Sequence, residues 1–289
     1  MNQTRTFLIF AWLMVAALLF MNWNSDQRAK QVAAANPQAT AATAVKGNSA
    51  VPGAAAANNG AVPTAAVPGA ATTPGMSAAP SSIEVTTDVL KVRLNGAAVT
   101  YAQLLQYPIV KDGKDNVVLM SDAPETYYAA QTGWVGANGA AAPTHEATFV
   151  PASAGPYVLA AGQNELKVPF VWRGENGVTV TRTYTFKRGQ YAVDVQDVVS
   201  NAGTTPWSAF NYRQLSRVPM HLASKGPMHP ESYSFNGAAW YSDAEKYDKR
   251  AFDKFAKEDA LNQPSTGGWI GMLQHHFFSA WIPDTKEPV

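Results

Sequence analysis

The chain of 289 residues contains no cysteine. A lipoprotein anchor is therefore excluded, because there is no thiol to acylate, and the chain is compatible with any redox compartment. Charge is also sparse, since charged residues make up 15% of the sequence and the formal net charge is +1. The globular part has no run of lysine or arginine, so we predict that the protein does not bind nucleic acid.

The sequence lacks the common motifs of nucleophilic, zinc and nucleotide chemistry, including Gly-x-Ser-x-Gly, His-Glu-x-x-His, Gly-x-Gly-x-x-Gly and the Walker pattern. His145, His221 and His229 are scattered through predicted loops. His275 and His276 are adjacent in a predicted strand, so their side chains should point to opposite faces and cannot converge on one ion. We therefore predict no metal site, no cofactor and no catalytic residue.

Carboxylates give little more support for an enzyme. Those of the segment Asp243–Ala260 lie on a charged stretch that we predict to be helical, where a solvated face is the simpler interpretation. Glu165 and Asp194 lie in predicted strands and could face a cleft, although outward-facing carboxylates are common in strands.

One long apolar run stands at the amino terminus. It extends from Phe7 to Trp23 with Asn22 as its one polar residue, and about 17 residues are the lower limit for crossing a bilayer. We predict an uncleaved signal-anchor in which Phe7, Trp12 and Phe20 lie in the hydrocarbon and Trp23 lies at the interface.

A cleaved signal peptide is the alternative interpretation of this run. Cleavage requires small residues soon after the apolar stretch, whereas Met21–Asn24 is bulky and polar and the first Ala-x-Ala is at Ala33–Ala35. Positive residues on the two sides of the run are too evenly distributed to set its orientation.

Residues 32–81 consist almost wholly of Ala, Pro, Gly, Thr, Asn and Val, with Lys46 as the one charged residue and no aromatic residue. Such a segment cannot bury enough apolar surface to offset its ordering entropy. We predict a disordered tether with a root-mean-square span of about 40 Å. The chain thus divides into an anchor at residues 1–31, the tether at 32–81 and a globular domain at 82–289.

Period-two alternation dominates the globular part. In Val178–Phe186 the residues Val178, Val180, Arg182, Tyr184 and Phe186 share one face and four threonines share the other, which predicts a half-buried strand. Asn164–Trp172 and Tyr191–Val199 flank this strand, with turns at Gly174–Gly177 and Lys187–Gly189, and should complete a meander. Further predicted strands are Val85–Leu94, Asn116–Met120, Tyr127–Trp134, Trp207–Arg217 and Gly268–Ile282. Many strands with one helix, Asp243–Ala260, predict an antiparallel β-sandwich.

The segment Gly267–Pro283 is unusually rich in glycine and aromatic residues. It resembles the closing motif of the large periplasmic domain in YidC-type membrane protein insertases. The residues that carry the resemblance are Gly267, Gly268, Trp269, Gln274, Phe277, Trp281 and Pro283. Earlier stretches match in order as well, among them Phe235–Ala238, Phe186–Gly189, Gly162–Leu166, Ala130–Gly133 and Thr87–Leu90.

The resemblance implies a β-supersandwich related to galactose-mutarotase-like folds, held in the periplasm of a Gram-negative bacterium by its first helix. It also implies a role in inserting and folding inner-membrane proteins, alone or with the Sec translocon, with contacts to the lipid bilayer, nascent inner-membrane proteins and SecDF. Family members carry five later transmembrane helices and further periplasmic strands, so we expect this chain to be a non-catalytic amino-terminal fragment.

Two other interpretations remain open. A membrane-anchored carbohydrate-binding or aldose-epimerase-like protein would need a histidine and a carboxylate that converge in a cleft. A purely structural envelope protein is favoured by the tether alone. Trp134, Trp172, Trp207 and Trp240 could line a sugar or peptide groove, but tryptophans in strands more often belong to the core.

Overall fold

The computed structural model describes residues 82–175, 177–219, 234–274 and 276–289. The predicted anchor and tether lie outside the described residues, as do His221, His229 and His275. Within the described ranges, no helix is long and apolar enough to span a membrane.

The described structure consists mainly of strands. In chain order they are β1 (Ile83–Thr86), β2 (Leu90–Leu94), β3 (Ala98–Pro108), β4 (Asn116–Met120), β5 (Tyr128–Gly136), β6 (Val150–Pro151), β7 (Tyr157–Val158), β8 (Glu165–Arg173), β9 (Val178–Lys187), β10 (Val193–Asn201), β11 (Ala209–Arg217), β12 (Gly237–Ser242), β13 (Lys246–Ala251), β14 (Trp269–Gln274) and β15 (Phe277–Trp281). Short 3₁₀ turns lie at Pro124–Thr126, Ala137–Gly139 and Phe252–Lys254.

Seven strands form sheet I, in the order β11-β5-β3-β2-β1-β7 with β4 paired to β3. The segment Val85–Leu94, predicted as one strand, is instead two antiparallel strands, β1 and β2. The chain reverses at Thr87, whose Oγ1 accepts hydrogen bonds from the backbone N–H groups of Val89 (3.2 Å) and Leu90 (2.9 Å). A buried threonine thus supplies a turn within an otherwise strand-like pattern.

Four strands form sheet II, in the order β10-β9-β8-β6. The predicted meander is confirmed, because β9 pairs antiparallel with β8 on one side and with β10 on the other. The predicted burial pattern of β9 is confirmed too, since the five residues assigned to its inner face are at most 1% exposed. Gly177 (φ +84°) and Gly189 (φ +71°) lie in the two turns with the left-handed backbone that glycine accepts.

Sheets I and II face each other across one core, which confirms the predicted sandwich. Val85, Leu94 and Tyr128 from sheet I join Phe170 and Phe186 from sheet II in the same buried cluster. The sheets are also hydrogen-bonded to one another through the turn between β2 and β3, where the Gly96 carbonyl accepts bonds from side chains of β9.

The third sheet, sheet III, corrects the predicted helix Asp243–Ala260. Its strand order is β13-β12-β14-β15, and β13 occupies the first half of that segment. The helical spacing of Tyr247, Phe252 and Phe255 misled the prediction, because β12 offers a complete antiparallel ladder from Gly237 opposite Ala251 onward. Pairing in the tertiary structure overrides local helix propensity, which is only a weak preference.

The predicted strand Gly268–Ile282 is instead a hairpin of β14 and β15. His276 therefore lies in a turn, and its predicted position in a strand is wrong. Two adjacent histidines are not a usual turn signal, which explains why the reversal was missed. The long strand β3 was missed as well, since its sequence lacks clear alternation, and so was β12.

Candidate binding site at the Gly-Gly-Trp motif

The seven motif residues occupy the ends of the β14–β15 hairpin and the segment that leads into it. Gly267 and Gly268 precede β14, Trp269 and Gln274 are its first and last residues, Phe277 and Trp281 are the first and last residues of β15, and Pro283 follows. The motif therefore corresponds to one hairpin and the segment that leads into it. Its glycines and its aromatic residues have different structural roles.

The two glycines are required by backbone geometry. Gly267 has φ +66° and Gly268 has φ +87°, a region that other residues rarely adopt. A Cβ atom at Gly268 would collide with the carbonyl oxygen of Tyr241, and one at Gly267 would lie 2.9 Å from that of Thr285. The glycines let the chain pass close to β12 and to the segment before Val289 at the same point.

The entry to β14 is fixed by a short backbone ladder. The N–H of Gly267 donates to the Glu287 carbonyl (2.8 Å), and Ser265 and Val289 exchange two further bonds of 2.8 Å. Glu287 is held in turn by Arg213 of β11, whose Nη1 and Nη2 lie 2.8 and 3.0 Å from the carboxylate oxygens. This bidentate pair ties the segment after β15 to sheet I.

A groove of about 320 Å³ opens beside the two glycines. Besides the glycines, the residues that line it are Tyr241, Asp243, Thr266, Trp269 and Thr285. The Tyr241 hydroxyl donates to Oδ1 of Asp243 at 3.3 Å. The groove thus brings two aromatic residues, a carboxylate and two threonines together at one concave surface.

The remaining aromatic motif residues belong to the core. Phe277 and Trp281 pack against the buried cluster. The indole N–H of Trp281 donates to the backbone carbonyl of Gln214 in β11 (3.0 Å), and the ring of Phe277 lies edge-on to Tyr107 with centroids 5.7 Å apart. These two residues hold sheet III against sheet I.

A buried polar network lies elsewhere in the domain, around Arg182. This side chain is fully buried, and its Nε and Nη2 lie 2.7 and 2.6 Å from the two carboxylate oxygens of Asp197. Its Nη1 donates to the carbonyls of Gly96 (3.3 Å) and Thr132 (3.0 Å), and Trp134 donates its indole N–H to Asp197 (2.6 Å). Arg182 Nε and Nη2 thus pair with Asp197 within sheet II, and Nη1 connects sheet II to sheet I and its β2–β3 turn.

Burial and the neighbouring carboxylate shift the pKa of Arg182 in opposite directions. Burial alone would lower the pKa of Arg182, but the Asp197 carboxylate raises it above its ordinary value. Burial raises the pKa of Tyr184 to about 12, and its hydroxyl donates to Gly96 at 3.2 Å. Sequence patterning placed Arg182 on the buried face without a partner. Asp197 stands directly opposite Arg182 in the β9–β10 ladder, so the predicted hairpin could have identified it.

The predicted acid–base candidates do not converge in the described residues. His145 is buried against Tyr212, with Nδ1 2.6 Å from the tyrosine hydroxyl, and burial raises the pKa of Tyr212 to about 12. Glu165 pairs with Lys167 (3.0 Å) at the surface. Asp194 is also exposed and pairs with Lys187. No group of three or more metal-ligating side chains occurs in the described ranges.

The four tryptophans considered as groove residues lie mainly in the core. Trp134, Trp172 and Trp207 pack against the buried cluster. Trp240 is half-buried, with the Arg250 guanidinium carbon 5.8 Å from its ring centre. None of these four lines the groove at the motif, whose tryptophan is Trp269.

Comparison with known proteins gives a consistent result. The family model of the YidC periplasmic domain matches residues 82–289. The membrane protein insertase YidC of Stenotrophomonas maltophilia (strain R551-3) is 46% identical over 299 residues, covering 99% of this chain and 50% of that protein. The insertases named YidC of Xanthomonas euvesicatoria pv. vesicatoria (strain 85-10) and Xylella fastidiosa (strain M12) are 44% and 42% identical, again over 99% of this chain. The chain spans about half the length of these relatives.

Proposed function

The chain belongs to the YidC periplasmic domain family, and we propose that it supplies the anchor, the tether and the periplasmic domain of a membrane protein insertase. The observation that carries this proposal is the match of the family model to residues 82–289. Relatives of 42–46% identity that are named insertases support it. The domain itself acts as a scaffold and binding module with no catalytic step of its own.

The location follows from the same proposal. Residues 1–31 hold the chain in the bacterial inner membrane through one span, with Phe7, Trp12 and Phe20 in the hydrocarbon and Trp23 at its edge. Residues 32–81 connect the span to the domain, which lies in the periplasm. The partners are the lipid bilayer, nascent inner-membrane proteins and, in assisted insertion, the Sec translocon with SecDF.

The alternative of an aldose-epimerase-like enzyme receives less support. Such an enzyme needs a histidine and a carboxylate at one cleft. Of the described histidines, His145 is buried against Tyr212 and His276 lies in the β14–β15 turn. Neither lines the groove at the motif.

A chimera tests the proposed function. Residues 1–289 replace the corresponding half of the Stenotrophomonas maltophilia relative, and insertion of a model inner-membrane protein is measured in cells depleted of their own insertase. We expect insertion close to that of the intact relative. The matched control carries the same junction but lacks residues 82–289, which separates the contribution of the domain from that of the anchor.

A chimera that is stable and membrane-bound but fails to support insertion would contradict the proposal. Protease protection of the inserted protein gives the readout, and immunoblotting of the membrane fraction confirms that the chimera is present at the level of the relative.

A further inference from the structure

The groove at the Gly-Gly-Trp motif carries charge of one sign. Asp243 is its charged lining residue, and its side chain is exposed. Thr266 and Thr285 add neutral hydroxyl groups, and no lysine, arginine or histidine is found among the described residues that line it. A ligand that enters this groove therefore meets a net negative charge.

The aromatic residues of sheet III near the groove add to this negative potential. Tyr241 of β12 stands directly opposite Trp269 of β14 and, on its other side, opposite Tyr247 of β13. Residues that oppose each other in a ladder project from the same face of the sheet. Sheet III therefore presents a row of three aromatic rings beside the carboxylate.

The outer two rings of this row lean toward each other. Two strand spacings would separate Tyr247 and Trp269 by about 9.6 Å, yet their ring centres are 6.1 Å apart at an interplanar angle of 44°. The Tyr247 side chain remains 51% exposed. Aromatic faces carry negative electrostatic potential and attract cations within about 6 Å of the ring centre.

The Asp243 carboxylate has a hydrogen-bond partner in the groove. Asp243 follows β12, and its Oδ1 accepts the hydrogen bond from Tyr241. The turn that carries it is fixed by the bond from the Glu245 N–H to Oγ of Ser242 (3.1 Å) and by the left-handed backbone of Lys246 (φ +63°). Asp243 and Trp269 both line the groove, so a carboxylate and an aromatic residue share one concave surface.

We propose that this groove binds an organic cation, namely a primary ammonium or guanidinium head group with its adjoining methylene groups. Aromatic faces together with a carboxylate form the combination that selects such groups, and a volume of about 320 Å³ is at the small end of ligand sites. The cation is supplied either by a lysine or arginine side chain of a polypeptide or by a small free amine. This site is independent of the proposed insertase role.

The test is a titration of the full chain in detergent micelles, followed by the indole N–H signal of Trp269 in ¹H–¹⁵N spectra. Trp269→Phe assigns that signal. The probes are Nα-acetyl-lysine methylamide, its neutral Nε-acetylated analogue, ethylammonium and glucose. We expect the lysine probe to shift the signal saturably and to bind about tenfold more tightly than the neutral analogue.

Asp243→Asn should weaken binding of the lysine probe about tenfold, because the shape of the groove is kept and its charge is removed. Asp112→Asn is the matched control. It removes the same charge from the turn between β3 and β4, which does not line the groove and where the backbone (φ +63°) suits asparagine, and we expect it to leave binding unchanged.

Tighter binding of the lysine probe than of ethylammonium would assign the cation to a polypeptide side chain, and equal binding would assign it to a free amine. The proposal is overturned if the neutral analogue binds as well as the cation, if glucose alone shifts the signal, if Asp243→Asn has no effect, or if no cation shifts the signal up to its solubility limit.

Discussion

Arg182 is the largest fully buried side chain among the described residues, and one carboxylate, that of Asp197, balances its positive charge. The Asp197 carboxylate contacts it through both oxygens, while carbonyl groups of sheet I take the remaining donor. Buried ion pairs are not strongly stabilising compared with apolar replacements, but removing one partner leaves an uncompensated buried charge. The pair therefore fixes how β9 and β10 sit against sheet I.

Asp197→Asn should lower the free energy of unfolding by about 3–5 kcal/mol, because Arg182 would then be buried without a counter-ion. Denaturant unfolding measures the loss. Asp194→Asn is the matched control three residues earlier on β10, where the carboxylate is exposed and pairs with exposed Lys187. We expect the control to keep the unfolding midpoint of the unmodified chain, and equal losses in both variants would contradict the account.

The raised pKa of Tyr184 predicts that the folded protein loses stability in alkali. A tyrosine ionises near pH 10 in the unfolded chain, whereas burial raises the pKa of Tyr184 to about 12 in the folded protein. Between these values the unfolded state binds fewer protons than the folded state, so stability falls as pH rises. The contribution of the protonated Tyr184 hydroxyl to the free energy of unfolding is fully present below pH 10 and is lost by about pH 12.

Tyr184→Phe removes this ionisation. Between pH 9 and pH 12 the unmodified chain should therefore lose about 2 kcal/mol more unfolding free energy than the variant. Denaturant unfolding at a series of pH values provides the comparison, with each protein referred to its own stability at pH 9. Parallel profiles for the two proteins would show that the hydroxyl is not protected from ionisation.

Sequence patterning captured much of the residue-level structure in sheet II and little of it elsewhere. Alternation identified the buried face of β9 correctly, Arg182 included, because period two is the geometry of any strand. It did not identify Tyr241 and Asp243 as groove residues, since their approach to Trp269 depends on the pairing of β12 with β14. Contacts between strands distant in sequence leave no local signal.

At the scale of elements, strand β9 offers the clearest test of the sandwich. Phe186 is 1% exposed and lies in the core cluster, so Phe186→Ala should cost about 3–5 kcal/mol of unfolding free energy. Thr185→Ala, on the opposite face, should cost about 1 kcal/mol or less. A loss below about 1 kcal/mol for Phe186→Ala would mean that β9 faces the other way.

Two glycines with left-handed backbone, one before β8 and one before β14, allow the cost of backbone strain to be separated from the cost of a steric collision. Gly162 (φ +82°) has open space where a Cβ would stand, whereas Gly268 (φ +87°) faces the Tyr241 carbonyl. Gly162→Ala should therefore cost about 1–2 kcal/mol for the left-handed backbone. Gly268→Ala should cost a further 1–3 kcal/mol or so because the neighbouring strand must move. Thermal or denaturant unfolding of both variants decides this, and equal costs would argue against a close approach of the two strands.

The incorrect prediction of a helix at Asp243–Ala260 has a physical explanation. A charged strand at the edge of a sheet and an amphipathic helix can share the same composition, because both expose most of their side chains. Lys246, Lys249 and Arg250 give β13 the charged character with which edge strands resist unwanted pairing. Composition alone cannot distinguish the two, and the presence of β12 as a partner decides in favour of the strand.

At the scale of the whole molecule, the fold class was predictable from the number of alternating segments and the scarcity of helical ones. The contacts that connect the three sheets could not be predicted from the pattern of alternating segments. Arg213 with Glu287 and Trp281 with Gln214 connect the segment around β15 to β11, and each pair is separated by more than sixty residues. The family resemblance carried by the motif at Gly267–Pro283 implied a β-supersandwich, but it did not specify these contacts.

The central proposal is that an amino-terminal span holds the domain on the periplasmic side of the inner membrane. Trypsin treatment of spheroplasts from cells that express the full chain tests it most directly, because Lys46 is the one trypsin site within residues 32–81. We predict that trypsin releases a folded, soluble fragment beginning at Gly47, and that Lys46→Gln moves the cut to Lys30 or Arg28. A chain that stays intact until the membrane is lysed, or a domain that is already soluble before trypsin is added, would contradict the account.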